Sequence, residues 1–313
     1  MMSKLKTKRF ILFTLLLLVV TAYALYSYAP KFIIEIKNPL IMTAKNRFYD
    51  TENDLLQADD KTYTIDIQSF DGLILKADIY KIQNPIANII VLHGIRSGRK
   101  NMKELCHKLN RNGFNAIALD LRAHGDSQGD YTTFGYYEKR DISVLIDRLK
   151  SENLGGDFGI WGHSLGGAVA LQSLATDKRL RFGIIESAYA DFKEIVNNYS
   201  EYFLGFSSET LNGILLERAG EMADFPVDAV NPVDYARKIN VPVLIAHGAE
   251  DEKINVDNAN RIFKALPVNY KKLVIVQGAH HNDLHKPDGE KYYQQIFEFI
   301  RKSKKNGLNI NNN

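Results

Sequence analysis

Residues 61–68, KTYTIDIQ, and 73–80, LILKADIY, alternate polar and apolar positions, the pattern of strands with one face in a core and one in water. Phe70-Asp71-Gly72 supplies a tight turn between them, so the two runs read as a hairpin. The pattern then changes. ANIIVLHG (87–94), NAIALDLRAHG (115–125), FGIWGH (158–163), FGIIESA (182–188), VPVLIAHG (241–248) and KKLVIVQG (271–278) are short, mainly apolar runs, as expected of strands covered on both faces. Helical spacing fills the intervals near residues 100–112, 136–152, 256–266 and 289–302, and Ala168, Val169, Ala170, Leu171 and Leu174 mark a helix directly after the third of these runs. Strands alternating with helices predict an α/β fold, a mostly parallel sheet with helices on both faces and an antiparallel N-terminal hairpin.

The alternation lapses between about residues 188 and 240, where Phe192, Tyr199, Tyr202, Phe203, Leu204, Phe206, Leu211, Ile214, Leu215 and Phe225 predict an apolar helical cap. The folded domain is therefore expected over 62–303, preceded by a mixed connector at 31–61 and followed by a polar tail, KKNGLNINNN, at 304–313.

The N-terminus follows a different pattern. FILFTLLLLVVTAYALYSYA, residues 10–29, carries no charge, and twenty such residues just span a bilayer core. Lys4, Lys6, Lys8 and Arg9 precede it, which predicts a cytoplasmic N-terminus and a folded domain on the far side. Tyr23, Tyr26 and Tyr28 resemble an interfacial aromatic belt and favour an anchor over residues 1–30, whereas Ala22-Tyr23-Ala24 also fits a signal cleavage site, which would release the domain.

Composition adds limits. The 313 residues are 45% hydrophobic and 25% charged, as in a globular chain. Four of the positive charges behind the formal net charge of +3 sit in the first nine residues, so the folded part is near neutral and nucleic acid is not an expected partner. The single cysteine, Cys106, excludes an internal disulfide and reads as a core residue.

The chemistry gathers at the ends of the apolar runs, where α/β sheets place their ligands. Gly162-His163-Ser164-Leu165-Gly166 stands at a strand-to-helix turn, with glycines two residues either side of the serine. Such a nucleophile elbow lifts the hydroxyl clear of the backbone. The other run ends carry His93-Gly94-Ile95-Arg96, Arg122-Ala123-His124-Gly125-Asp126-Ser127, His247-Gly248-Ala249-Glu250-Asp251 and Gly278-Ala279-His280-His281. With these in order, the chain over about residues 62–303 resembles the α/β-hydrolase superfamily, in particular the serine hydrolase branch of Bem46-type membrane-anchored esterases and serine aminopeptidase and prolyl-oligopeptidase domains.

The resemblance implies Ser164 as nucleophile, Asp251 as acid and His281 as base, in the chain order expected of the superfamily. A serine hydroxyl needs an imidazole to take its proton, and the imidazole needs a carboxylate to fix its tautomer. Glu186 is an alternative acid, while His280 and His285 are expected nearby or solvated; the crowding of imidazoles and the helical spacing of His281 and His285 leave a metal reading open, without a partner cluster of ligands in sequence. By the same resemblance the backbone N–H groups of Leu165 and Ile95 form the oxyanion hole, His93 and His163 hold loops, and no cofactor or metal is required. The implied function is a membrane-tethered hydrolase of carboxylic esters acting on a small-molecule or lipid-like acyl substrate. A peptidase using the same triad and a non-catalytic protein that kept the fold are the alternatives.

Overall fold

The computed structural model describes residues 2–37 and 62–310, with side chains over 7–37 and 62–303. Residues 38–61, most of the expected connector, lie outside the described residues. The chain opens with α1 (Met2–Tyr28) and the single turn α2 (Lys31–Ile34). An apolar stretch of hydropathy 2.2 runs over Thr7–Ile34, long enough to cross a membrane and without burial in its most apolar window.

The hairpin forms as expected, β1 (Thr62–Gln68) pairing antiparallel with β2 (Ile74–Tyr80) from Thr62 opposite Tyr80 to Gln68 opposite Ile74. Its outer strand exposes alternate residues, as its sequence alternation requires. The remaining strands are β3 (Asn88–Leu92), β4 (Asn115–Leu119), β5 (Phe158–His163), β6 (Leu180–Glu186), β7 (Val243–Gly248) and β8 (Lys271–Val276). They complete one sheet in the order β1-β2-β4-β3-β5-β6-β7-β8, in which β2 is antiparallel to β4 and every later pairing is parallel.

Every residue of β3 and β4 is buried because the sheet is covered on both sides. Ile90, Leu92, Ile117 and Leu119 point to one face, under α4 (Glu138–Ser151) and α5 (Leu165–Thr176). Ile89, Val91, Ala116 and Ala118 point to the other, with Cys106 and Leu109 of α3 (Lys103–Arg111) and Tyr292, Ile296 and Phe297 of the C-terminal helix. Cys106 is thus a fully buried core residue, and burial pushes its thiol pKa up.

Between β6 and β7 the insertion folds as α6 (Phe192–Leu204), α7 (Glu209–Ala223), a 3-10 turn Val227–Val230 and α8 (Pro232–Ala236). Asp191 and Ser208 cap the two long helices, their side chains accepting from the backbone N–H of Glu194 and Leu211. After β7 come α9 (Asp257–Ala265) and, after β8, α10 (Glu290–Ile310).

Element ends differ from the sequence expectation where side chains intervene. The helix expected over 100–112 begins with a 3-10 turn, Arg99–Met102, because the Asp120 carboxylate accepts the Arg99 N–H at 2.6 Å and fixes the entry. The helix expected from residue 136 starts at Glu138, whose carboxylate accepts the Thr133 and Gly135 N–H groups, each at 2.8 Å, and ties the preceding residues into a turn. The last helix continues to Ile310, past the expected end at 302.

Candidate active site

Ser164 is the hinge between β5 and α5, with φ 54° and ψ −116°. A non-glycine residue at positive φ is strained, and such strain gathers at functional sites. The flanking glycines are required by space. A Cβ on Gly162 would lie 2.1 Å from the Gly166 carbonyl oxygen, and one on Gly166 would lie 2.5 Å from that of Leu92. The Ser164 N–H donates to the Glu186 carbonyl oxygen at 2.8 Å, pinning the turn to β6.

The loops after β7 and β8 bring the other two expected residues to this serine. Ser164 Oγ lies 3.0 Å from His281 Nε2, and His281 Nδ1 lies 2.7 Å from Asp251 Oδ2. Asp251 Oδ1 accepts the N–H groups of Lys253 and Ile254 at 3.0 and 2.9 Å. His247 Nε2 donates to the Ile254 carbonyl oxygen at 2.7 Å and lies 3.2 Å from Asp251 Oδ2. Burial alone would raise the Asp251 pKa, but the hydrogen bonds from His247 and His281 outweigh it and hold the carboxyl well below the usual range. A carboxylate kept charged in this way orients the imidazole with Nδ1–H towards it and leaves Nε2 to face the serine.

The alternative acid is elsewhere. Glu186 accepts from the Tyr292 hydroxyl, and its other oxygen is 4.0 Å from His163 Nδ1, not at His281. Burial pushes its pKa up. His280 is exposed and faces Glu252 at 3.0 Å, and His285 packs on the Tyr293 ring. Neither approaches the serine in place of His281.

The loop after β3 closes the other side. A Cβ on Gly94 would lie 3.4 Å from the Ser164 Cβ, so the backbone leading into Ile95 runs directly against the serine. His93 holds that loop, its Nδ1 donating to the Gly94 carbonyl oxygen at 2.8 Å and its Nε2 accepting the Leu121 N–H at 3.1 Å. Leu165 is the first residue of α5, where the N–H has no helical partner and the helix end favours negative charge.

Three partners were not singled out from sequence. His247 signalled itself only by standing four residues before Asp251. Asn282 accepts from His163 Nε2 at 3.2 Å, and Tyr292 reaches Glu186 from a helix 106 residues away. His163, Glu186, Asn282 and Tyr292, with Leu105, Trp161, Leu284, His285 and Tyr293, line a small cavity of about 60 Å³.

Residues 83–223 match the family described as serine aminopeptidase, S33, and residues 182–308 match the family described as PhoPQ-activated pathogenicity-related protein. The uncharacterized protein YqkD of Bacillus subtilis (strain 168) is 28% identical over 220 residues, 68% of this chain and 70% of that one. The 2,6-dihydropseudooxynicotine hydrolase of Paenarthrobacter nicotinovorans is 25% identical over 199 residues, 63% of this chain and 53% of that one. Among solved structures, the esterase Pf2001 of Pyrococcus furiosus superposes with a TM-score of 0.65 at 23% identity, covering 77% of this chain and 92% of that one.

Proposed function

We propose that this chain, a member of the α/β-hydrolase superfamily, is a membrane-tethered serine hydrolase that cleaves carboxylic esters through an acyl-enzyme. The observation that carries the proposal is the unbroken hydrogen-bonded chain from Ser164 Oγ through the His281 ring to Asp251. Ser164 attacks the ester carbonyl while His281 Nε2 takes its proton, and Asp251 stabilises the imidazolium that forms. The Leu165 and Ile95 N–H groups stabilise the oxyanion. His281 then protonates the leaving alcohol, and a water deprotonated by the same imidazole releases the acid and restores Ser164.

The match of residues 83–223 to a serine aminopeptidase family favours a second reading, a peptidase using the same three residues. One experiment separates the two. Full-length protein in detergent is assayed on p-nitrophenyl esters of increasing acyl length and on aminoacyl and prolyl p-nitroanilides, with Ser164→Ala as blank. The esterase reading expects esters to be cleaved faster, with kcat/KM rising along the series because each buried methylene contributes about 0.8 kcal/mol. Faster cleavage of the anilides establishes the peptidase instead.

The tether rests on the long apolar helix at the N-terminus. The basic residues before it favour a cytoplasmic N-terminus with the hydrolase outside. N-terminal sequencing of membrane-extracted protein should begin at the first residues, and a chain starting just after Ala24 would make the segment a cleaved signal.

A further inference from the structure

The hairpin of α6 and α7 buries one side and leaves the other bare. Phe192, Ile195, Leu216 and Ala219 pack into the core. At the tip, Tyr202, Phe203, Leu204, Phe206, Leu211 and Ile214 are 46–65% exposed. The Phe203 ring stacks on Tyr199 and meets Tyr202 edge-on, so the patch is an organised aromatic surface. A contiguous apolar patch rimmed by polar residues marks a contact with another apolar phase or partner.

The position of the patch identifies the partner. The Arg218 guanidinium of α7 lies 5.2 Å from the Tyr26 ring centroid, at the end of the apolar helix α1. Ile214 and Leu211 precede Arg218 by four and seven residues, so they share its helix face and lie roughly 6 and 10 Å nearer the tip. The junction is fixed by further contacts. Ile34 and Ile36 are buried, the Thr132 N–H donates to the Ile34 carbonyl oxygen at 3.0 Å, and Arg96 Nη2 donates to the Phe32 carbonyl oxygen at 2.9 Å. A domain joined this tightly to a spanning helix has no slack to leave the bilayer surface.

We infer that the α6–α7 tip, residues 202–206 with Leu211 and Ile214, is a second membrane contact that enters the interface of the leaflet from which α1 emerges. The inference rests on the tethering reading above. Arg218 then lies at headgroup depth with Tyr26, while the aromatic and aliphatic tip reaches the acyl boundary. Glu201 and Glu209, which adjoin the tip in sequence, are both exposed, and Arg218 on the face of Leu211 and Ile214 is paired with Glu221 at 2.8 Å, so the attraction is apolar and does not depend on anionic lipid. The cap is thereby held at the surface from which a lipid-like ester would enter.

The test uses full-length protein in phosphatidylcholine vesicles, with an environment-sensitive fluorophore on Phe206→Cys, Leu17→Cys or Lys178→Cys. Cys106 is fully buried and does not compete for label. Thermal unfolding checks that each labelled protein is folded. Lipid spin-labelled high on the acyl chain should remove about half of the fluorescence at Phe206→Cys, more than lipid labelled near the chain end does. Leu17→Cys should be quenched by lipid, Lys178→Cys only by aqueous iodide, and adding anionic lipid should change nothing. Quenching of Phe206→Cys by iodide and not by lipid overturns the inference. Protection from both quenchers overturns it in favour of a second copy or another protein on the patch. A Leu17→Cys label that lipid does not quench removes the tether and the inference with it.

Discussion

The backbone of Gly248 passes so close to Ala279 that a Cβ on the glycine would lie 2.3 Å from the Ala279 carbonyl oxygen. The loops carrying Asp251 and His281 cross at this point, joined by Ala249 N–H to Val276 O at 2.9 Å and Glu250 N–H to Ala279 O at 3.0 Å. A clash with backbone has no rotamer to relieve it. Gly248→Ala should therefore separate the loops, costing about 1–3 kcal/mol of stability and lowering kcat by about a hundredfold. Gly155→Ala, which meets nothing within 4 Å, is the control, and denaturant titration beside ester kinetics checks both.

Only one imidazole of the His280-His281 pair faces Ser164. His281→Ala should lower kcat about ten-thousand-fold, whereas His280→Ala, which loses an exposed contact with Glu252, should leave most of the activity. Asp251→Asn should approach the His281 defect, because an amide in that place favours the wrong tautomer. A fluorophosphonate probe gives an independent readout: it should label wild type, label Asp251→Asn slowly and leave Ser164→Ala unlabelled.

The parts that were legible in sequence are those with a local signature. The hairpin, the buried strands and the elbow each follow from alternation, apolar runs or glycine placement within a few residues. Ser164, Asp251 and His281 could be named because each stands within three residues of the end of such a run, in motifs that resemble those of the α/β-hydrolase superfamily, and the structure brings all three together. His247 was not assigned a contact, because its approach to Asp251 depends on how the loop folds back through Ile254. The Glu186–Tyr292 and His163–Asn282 pairs join segments more than a hundred residues apart. The docking of α1 and α2 through Ile34, Phe32 and Arg218 was likewise hidden, since apolar periodicity gives a helix's length and not what its end touches.

His163 makes the fold sensitive to acid. Its ring faces Asn282, Glu186 and the His281 ring, whose centroid is 5.2 Å away. Burial, reinforced by the charge on His281 when protonated, lowers its pKa from 6.5 to about 3. Between those values the unfolded chain binds more protons than the folded one, so stability rises with pH across the window. The native state is unpenalised above about pH 6.5 and loses stability as pH falls towards 3. Glu186, whose pKa burial raises, acts in the opposite sense at the acid end. Unfolding free energy should therefore fall from pH 7 to pH 5 in wild type and fall less in His163→Gln. Equal slopes would show that His163 does not carry the effect.

Arg99 ties together strands that the loop beside Ser164 depends on. Its guanidinium contacts Asp78 of β2 at 3.0 Å, Asp126 at 2.9 Å and Asp120 at the end of β4, and its own N–H donates to Asp120 at 2.6 Å. Asp120 is 1% exposed and Arg99 6% exposed. Removing one partner from such a group leaves buried charge uncompensated, which costs about 3–5 kcal/mol. Arg99→Met keeps the side-chain stem and should cost that much, because Asp78 and Asp120 lose their counterion while the packing remains. Asp120→Asn added to Arg99→Met should recover part of the loss, since the amide removes one unpaired charge and still accepts from the Arg99 position's backbone N–H. Arg99 also closes the loop that starts at His93 and carries Ile95, so the single variant should lower kcat at temperatures where it is still folded. A double-mutant cycle in urea, with ester turnover measured on each folded variant, checks both effects. Additive losses would show that Arg99 and Asp120 act independently and that the contact does not support the loop.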